Sequence, residues 1–376
     1  MRIAVIGRGL IGSAAARHLA QAGYDTVLIG PSEPENKAAH AGVFGSHYDE
    51  GRITRSLATD PFWAEVSAAS IARYHEIEAQ GGIRFFTQCG ALMAGPETSA
   101  FIAETEATLR RTETRAQRLD RAAMARAFPA LAFPGDFAGL HEAEGAGHIS
   151  PRKLVAAQSN AARKHGARIV DAPAEGIEET GAGITVRAGN ERISADRVLV
   201  AAGGMTDHLL PEPLGLKVLA RTVVFFELGE AEAKRLSHLP SLVLRMDDAA
   251  EPYMLPPIRY PDGRVLLKLG GDPVDVPLTS PQEIGEWFRS GGNAEVRDYL
   301  VGLMSRLIPD LAPTGIHIEP CMTTYSADGY PVIRRLTQRL AVATAGNGAG
   351  AKCSDELGRR GALAALDEEL KSGEPA

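Results

Sequence analysis

Cysteine is scarce in this 376-residue chain, with only Cys89, Cys321 and Cys353 and no CxxC spacing among them. An odd, sparse set of this kind excludes a disulfide framework and a cysteine-rich zinc site, and it suits a reducing cytoplasm, where the protein is expected. Long apolar runs are missing too. Arg17 and His18 interrupt the Ala/Leu-rich stretch near the start, well short of the ~18 residues a membrane span needs. The short run 3–6, followed at once by Gly7-Arg8-Gly9, lacks the layout of a signal peptide. Positive charge is not in excess, since 40 Lys and Arg against 47 Asp and Glu leave a net charge of −7. Nucleic-acid partners are therefore not expected, although a local basic pocket for a small anion remains compatible with this balance.

What is present describes an ordinary folded protein, 44% hydrophobic and 23% charged, long enough for roughly two to three domains of ~150 residues. Residues 2–6 read as a buried strand, 11–22 as an Ala-rich helix and 25–29 as a second strand. The turn between the first two is Gly7-Arg8-Gly9-Leu10-Ile11-Gly12. A GxGxxG so placed lets backbone approach a pyrophosphate at a helix N-terminus, which points to a dinucleotide. The carboxylate that would bind a ribose hydroxyl at the end of the second strand is replaced by Gly30, with Ser32 or Glu33 as possible substitutes and no arginine following to pair a 2′-phosphate.

Farther on, the sequence predicts a helix over 151–165, strands at 167–171 and 197–200, and a hairpin of 183–188 with 191–194, before Ala201-Ala202-Gly203-Gly204. Gly-Gly after a strand suits either backbone beside a ligand or a plain tight turn. From 216 to 317 the pattern turns β-rich, with a hairpin turn at Pro261-Asp262-Gly263 and one long helix over 281–307. A strand at 340–344, the turn Gly346-Asn347-Gly348-Ala349-Gly350 and a helix over 352–370 close the chain, and the tail beyond Asp367 is expected to fray. A nucleotide fold that starts, returns in the middle and resumes at the end is assembled like an FAD-binding oxidoreductase. A nicotinamide dehydrogenase normally completes its nucleotide domain in one piece.

The fold class expected is therefore α/β, or α+β with two domains. One is a Rossmann-like FAD-binding domain drawn from 1–80, 145–215 and 318–376. The other is an antiparallel-sheet substrate domain from 81–144 and 216–317.

Four further motifs occur in order: Ser46-His47-Tyr48-Asp49-Glu50-Gly51-Arg52-Ile53-Thr54-Arg55, Leu267-Lys268-Leu269-Gly270, Pro320-Cys321-Met322, and the segment from Gly346 to Lys352. By residue type alone, Cys321 reads as a buried apolar thiol, Arg52 and Arg55 as a solvated patch, and Lys268 as a residue whose direction alternation does not decide. Together the motifs make the chain resemble, over nearly its whole length, the monomeric sarcosine oxidase and N-methyltryptophan oxidase branch of the D-amino acid oxidase superfamily.

That resemblance implies an FAD-dependent oxidase of secondary amino acids, such as an N-substituted glycine or an N-alkyl amino acid, that moves a hydride or its equivalent to the flavin and reduces O2 to H2O2. It implies flavin bonded covalently through Cys321, Arg52 beside the ring, Lys268 activating oxygen, and Arg55 with Lys352 binding the substrate carboxylate near Tyr253. Arg221 matches a family arginine with no role assigned. The cofactor set implied is Gly7, Gly9, Ile11, Gly12, Ser46, Gly51, Arg52, Ile53, Ala174, Ala201, Gly203, Cys321, Met322, Gly348, Gly350 and Lys352. The partners implied are a small amino acid and O2, met by a monomer.

Two family histidines are absent, with Gly271-Asp272 and Ala349 standing in their places, so sarcosine itself is not the expected substrate. Arg259 is either a receiver of a second carboxylate, as in iminodiacetate, or a solvated residue ahead of the hairpin turn. Alternatives to an oxidase are a flavin dehydrogenase using another electron acceptor and a flavin-binding protein without catalysis.

Overall fold

A computed structural model, which describes residues 1–181, 183–246 and 251–367, builds the chain on two large sheets. The first has six strands in the order Val332–Arg335, Leu340–Thr344, Arg197–Val200, Arg2–Ile6, Asp25–Ile29 and Arg168–Val170. All its pairings are parallel except that of the first strand with the second. Its central strands are covered on both faces, which is why they read as unbroken apolar runs. Ile3 and Val5 point to one side, against Ala16, Leu19 and Ala362 of the helices Leu10–Gln21 and Gly350–Leu366. Ala4 and Ile6 point to the other, against Ile184, Val186 and Ile193 of a three-stranded antiparallel sheet formed by Ala174–Thr180, Gly183–Ala188 and Glu191–Ala195. Burial of a side chain such as Leu19, 1% exposed, contributes about 1.5–3 kcal/mol. Gly358 brings the two helices together, because a Cβ there would lie 2.5 Å from the Ala14 side chain and 2.7 Å from the Ile11 carbonyl.

The second large sheet has nine strands and is mostly antiparallel. Lys217–Leu228 pairs on one side with Pro313–Tyr325 along most of its length and on the other with Val265–Gly270. Tyr253–Arg259, Ser241–Leu244, Ala91–Pro96, Phe137–Glu142 and Gln117–Leu119 follow in that order. Its core gathers Phe226, Leu242, Met254, Leu267 and Leu269 against Leu300, Leu303 and Leu307 of the helix Ala294–Leu307.

Three expectations need correction. The helix foreseen over 281–307 is two helices, Pro281–Ser290 and Ala294–Leu307. Gly291 and Gly292 take φ values of +83° and +100°, conformations that end a helix, and the Asn293 side chain then caps the next by accepting from the Glu295 and Val296 N–H groups. The boundary placed at 318 falls inside the strand Pro313–Tyr325, so Cys321 and Met322 ride on the antiparallel sheet. The strand Ala174–Thr180 was not foreseen at all. The last helix runs Gly350–Leu366 and stops at Asp367 with φ +65°, while residues 368–370 and the tail lie outside the described residues. Among the described residues no helix is long and apolar enough to cross a membrane.

Candidate active site between the two sheets

A cavity of about 840 Å³ lies where the C-terminal ends of the parallel strands meet the antiparallel sheet. The parallel sheet contributes backbone. Gly7 has φ +108°, and a Cβ there would lie 2.2 Å from the Ala201 carbonyl oxygen. Gly12 supports the same turn from below, since its Cβ would fall 1.8 Å from the Gly7 carbonyl. The helix Leu10–Gln21 opens at Gly9 with no side-chain cap, and Gly350–Leu366 opens at Ala349 likewise uncapped. Six other helices are capped at this end by Asp60, Ser99, Asp120, Ser150, Ser280 or Asn293. Two uncapped N-termini whose first residues line one cavity present free N–H donors and the positive end of a helix dipole to an anion. His47 lines the cavity beside Gly9, and burial pushes its imidazole down to about 4, so it is neutral there.

Of the expected cofactor residues, Gly7, Gly9, Ile11, Ser46, Arg52, Ile53, Ala174, Ala201, Gly203, Cys321, Met322, Gly348, Gly350 and Lys352 line this cavity. Gly12 and Gly51 do not; Gly12 shapes the turn, and Gly51 offers its carbonyl to Lys268 and Arg52. Neither substitute for the missing ribose carboxylate is free. Glu33 is held in a two-pronged ion pair by Arg152, at 2.6 and 2.7 Å, and Ser32 is bonded through its N–H and hydroxyl to Asp171 at the end of the adjacent strand. Gly30 accommodates Arg8, whose backbone nitrogen would lie 2.5 Å from a Cβ at that position.

The antiparallel side contributes charge. Asp49 is the hub of a buried group, accepting from Lys268 Nζ at 2.5 Å, from the Tyr260 hydroxyl at 2.7 Å and from Arg52 Nη1. Burial alone would raise its carboxyl, but Lys268 and Arg52 hold it well below the usual carboxylate range. Lys268, 1% exposed, also donates to the Gly51 carbonyl at 2.8 Å. Burial and the Arg52 charge push its ammonium down to about 8 against the pull of Asp49. Lys268 does not itself line the cavity and sits behind Tyr253, its Nζ 5.7 Å from the ring centre. Arg52 extends from this group to the Cys321 sulfur, 3.3 Å away.

Arg55 differs from Arg52. Among the described residues its Nε and Nη1 are buried without a hydrogen-bond partner, donors that fit an anion. Lys352 is close enough to oppose its charge electrostatically and donates to Ser67 Oγ at 2.5 Å. Thr323 Oγ1, also in the cavity wall, is a third buried polar atom without a partner among the described residues. Trp63, Met93, Phe101, Val243 and Tyr253 complete this part of the lining with apolar surface.

Arg259 is not part of the cavity; it is exposed and donates to the Gly263 carbonyl across the hairpin turn. The sequence alone assigns no role to Asp49 or Asp272. Asp49 carried a signal, standing three residues before Arg52 in a quoted motif, whereas Asp272 was noted only as a departure.

A glycine cradle, two uncapped helix ends and buried donors awaiting partners together fit a flavin dinucleotide with a small anionic substrate beside it. Comparison with known proteins agrees. The N-methyl-L-tryptophan oxidase of Yersinia pestis (strain Pestoides F) is 25% identical over 371 residues, covering 97% of this chain and 94% of that protein. Among solved structures, NikD, an unusual amino acid oxidase essential for nikkomycin biosynthesis, superposes with a TM-score of 0.78 at 19% identity, covering 98% of this chain and 94% of its own. The L-proline dehydrogenase of P. horikoshii does so with a TM-score of 0.76 at 15% identity, covering 99% and 95%. The family described as DAO, FAD dependent oxidoreductase, matches residues 2–363, and the chain belongs to that family of FAD-dependent enzymes.

Proposed function

We propose that this enzyme oxidises the CH–NH bond of N-substituted amino acids with O2 as electron acceptor. Bound FAD supplies the two-electron acceptor for that chemistry, and the products are an imine, hydrolysed in water, and hydrogen peroxide. The observation that carries the reading is Arg55, whose Nε and Nη1 are buried and, among the described residues, without a hydrogen-bond partner, in a cavity wall shared with Lys352. A substrate carboxylate accepts two parallel hydrogen bonds from such a fork and gains a point charge from the lysine. Binding the carboxylate there holds the substrate against Tyr253, Met93, Phe101 and Val243, which exclude water from the reacting carbon.

Lys268 keeps a positive charge in a dry site without blocking it, and Asp49 and the Gly51 carbonyl fix where that charge stands. A fixed cation of this kind favours the negative charge that develops as oxygen is reduced. Cys321 presents its sulfur to the cavity beside Arg52, where covalent attachment of the flavin is part of this proposal. The substrate amine takes an N-alkyl group, and the retained carboxylate site argues for an amino acid rather than a simple amine.

The test is a peroxide-release panel of sarcosine, N-methyl amino acids, iminodiacetate, cyclic imino acids, D-amino acids and glycated amino acids, run beside artificial electron acceptors. Turnover of an N-substituted amino acid with oxygen supports the reading. A best substrate lacking a carboxylate, or turnover only with artificial acceptors, sinks it.

A further inference from the structure

Among the described residues three carboxylates line the cavity, and of these Asp272 is the one placed to meet a substrate in it. Glu175 stands with Pro173 and Ala174 near the nucleotide end and lies 4.0 Å from Arg187. Glu251 is exposed and paired with Arg245. Asp272 is half-buried at the end of the strand that carries Lys268. Its Oδ2 accepts the Thr222 N–H at 2.9 Å, and Thr222 Oγ1 in turn accepts the Asn293 N–H at 3.0 Å. That chain of bonds ties one carboxylate oxygen to a strand and a helix cap. Among the described residues no other residue donates to Oδ1.

The surroundings place Asp272 on the same side of the site as Arg55. Gly271 packs on Pro252, where its Cβ would fall 2.6 Å from the proline Cα. Glu251, the residue before that proline, feels the Arg55 charge. Tyr253, the residue after it, lays its ring across Gly270, where a Cβ would meet the ring at 2.4 Å. The segment 251–253 therefore runs from Glu251, which feels the Arg55 charge, to Pro252 and Tyr253, which pack on the Gly270-Gly271 backbone just before Asp272.

We propose that Asp272 receives the substrate's amine, accepting a hydrogen bond from its N–H at Oδ1, and thereby sets the preference for an amino acid over a bare carboxylate. The inference deepens the oxidase reading and rests on its carboxylate site at Arg55. An amine that arrives protonated gives its proton to Oδ1: one N–H bond breaks, one O–H bond forms, and the electron pair stays on nitrogen, free for oxidation at the adjacent carbon. The proton passes on to water at the cavity mouth. No oxidant is needed for this step.

The charges facing Asp272 suit the role. Arg221, on the neighbouring strand, is already held by Asp275 at 2.7 Å and by the Ala220 carbonyl, so it does not close over the carboxylate. Tyr253 is kept neutral by burial. Burial raises the Asp272 carboxyl to about 6, with the Thr222 N–H and Arg221 pulling it down and Asp275 pushing it up. It therefore exchanges a proton close to neutrality.

The experiment uses the flavin-loaded enzyme without oxygen, taking the apparent affinity of sarcosine, the amine-bearing probe, from the concentration dependence of the flavin reduction rate, and that of propionate, its amine-free counterpart, from a titration of flavin absorbance. Asp272→Asn keeps the shape and leaves the Thr222 N–H an amide oxygen to bond. Loss of the charge should weaken sarcosine about 10- to 100-fold and leave propionate within about twofold. In the wild type, sarcosine affinity should fall as pH drops below about 6, and the variant should lose that limb. An equal change for both probes, or an unchanged sarcosine affinity, overturns the inference. Failure of the oxidase reading looks different: no member of the peroxide panel would be turned over, whatever the probe ratio shows.

Discussion

The two sides of the cavity are built by opposite means. On the parallel-sheet side the wall is backbone: Gly7, Gly9, Ala201, Gly203 and two uncapped helix ends, with the nearby charges Glu33 and Asp171 already engaged by Arg152, Ser32 and Arg8. On the antiparallel side the wall and its backing are charged side chains, some satisfied, as Asp49, Lys268 and Arg52 satisfy one another, and one left open, Arg55. Backbone donors suit a ligand that stays, because they cannot rotate away. Unpaired charge suits a ligand that comes and goes, because its cost is relieved only while the substrate is present.

The sharpest way to break the comparison is to put a side chain into the backbone wall. Gly7→Val would force a β-branched residue into φ +108° with its Cβ 2.2 Å from the Ala201 carbonyl, a combination of strain and overlap expected to cost more than ~3 kcal/mol. The purified protein should carry almost no flavin, read from the ratio of absorbance at the flavin band to that of the protein. Normal flavin content would show that the turn does not hold the cofactor.

The next largest effect belongs to Lys268→Met, which removes the charge and keeps the length. Reoxidation by oxygen should slow by ~10² to 10³, with anaerobic reduction by substrate much less affected. In the wild type the ammonium is lost as pH rises through about 8, so reoxidation should decline above that pH, and the Met variant should be flat. Equal losses in both half-reactions would make Lys268 a structural residue of the charged side.

How much of each side was legible in the sequence follows from the same contrast. A glycine turn is a local constraint, and Gly7 and Gly12 stand five apart in one motif, so the strand, turn and helix around it were legible. The charged side is assembled from distant segments: Asp49 and Lys268 are 219 residues apart, Arg52 and Cys321 are 269, and Ser67 and Lys352 are 285. Only the resemblance ordered Arg55, Lys268, Cys321 and Lys352 into one site, and it gave no partner for any of them. Asp49 as the hub of Lys268, Arg52 and Tyr260, Ser67 beneath Lys352 and the displaced position of Lys268 behind Tyr253 required the fold. The strand Ala174–Thr180 escaped because Ala-Glu-Gly-Ile-Glu-Glu-Thr is mostly polar and exposed and shows no alternation. The helix break at Gly291 was hidden because apolar spacing resumes on its far side at Val296, Leu300 and Leu303.

Arg55→Met tests the open charge directly. Losing a fork to a substrate carboxylate should raise the apparent KM about 10- to 100-fold, while flavin content stays normal, since among the described residues Arg55 Nε and Nη1 have no hydrogen-bond partner to lose. A variant with unchanged KM would move the carboxylate site elsewhere.

The smallest effect is expected where the sequence allowed a second carboxylate receiver. Arg259 lies on the strand of Tyr253, six residues along, which made it a reasonable partner for iminodiacetate. A strand sends alternate residues to opposite faces, so a six-residue offset should bring Arg259 to the face of Tyr253. The register shift between Leu255 and Ile258 breaks that alternation, and the side chain emerges exposed, bonded to the Gly263 carbonyl 2.8 Å away. Arg259→Ala should therefore change thermal stability by no more than about 0.5 kcal/mol and leave the relative rates with sarcosine and iminodiacetate as they were. If iminodiacetate alone lost turnover in that variant, the hairpin would have to close over the cavity during catalysis, and the antiparallel side would be a moving wall rather than a fixed one.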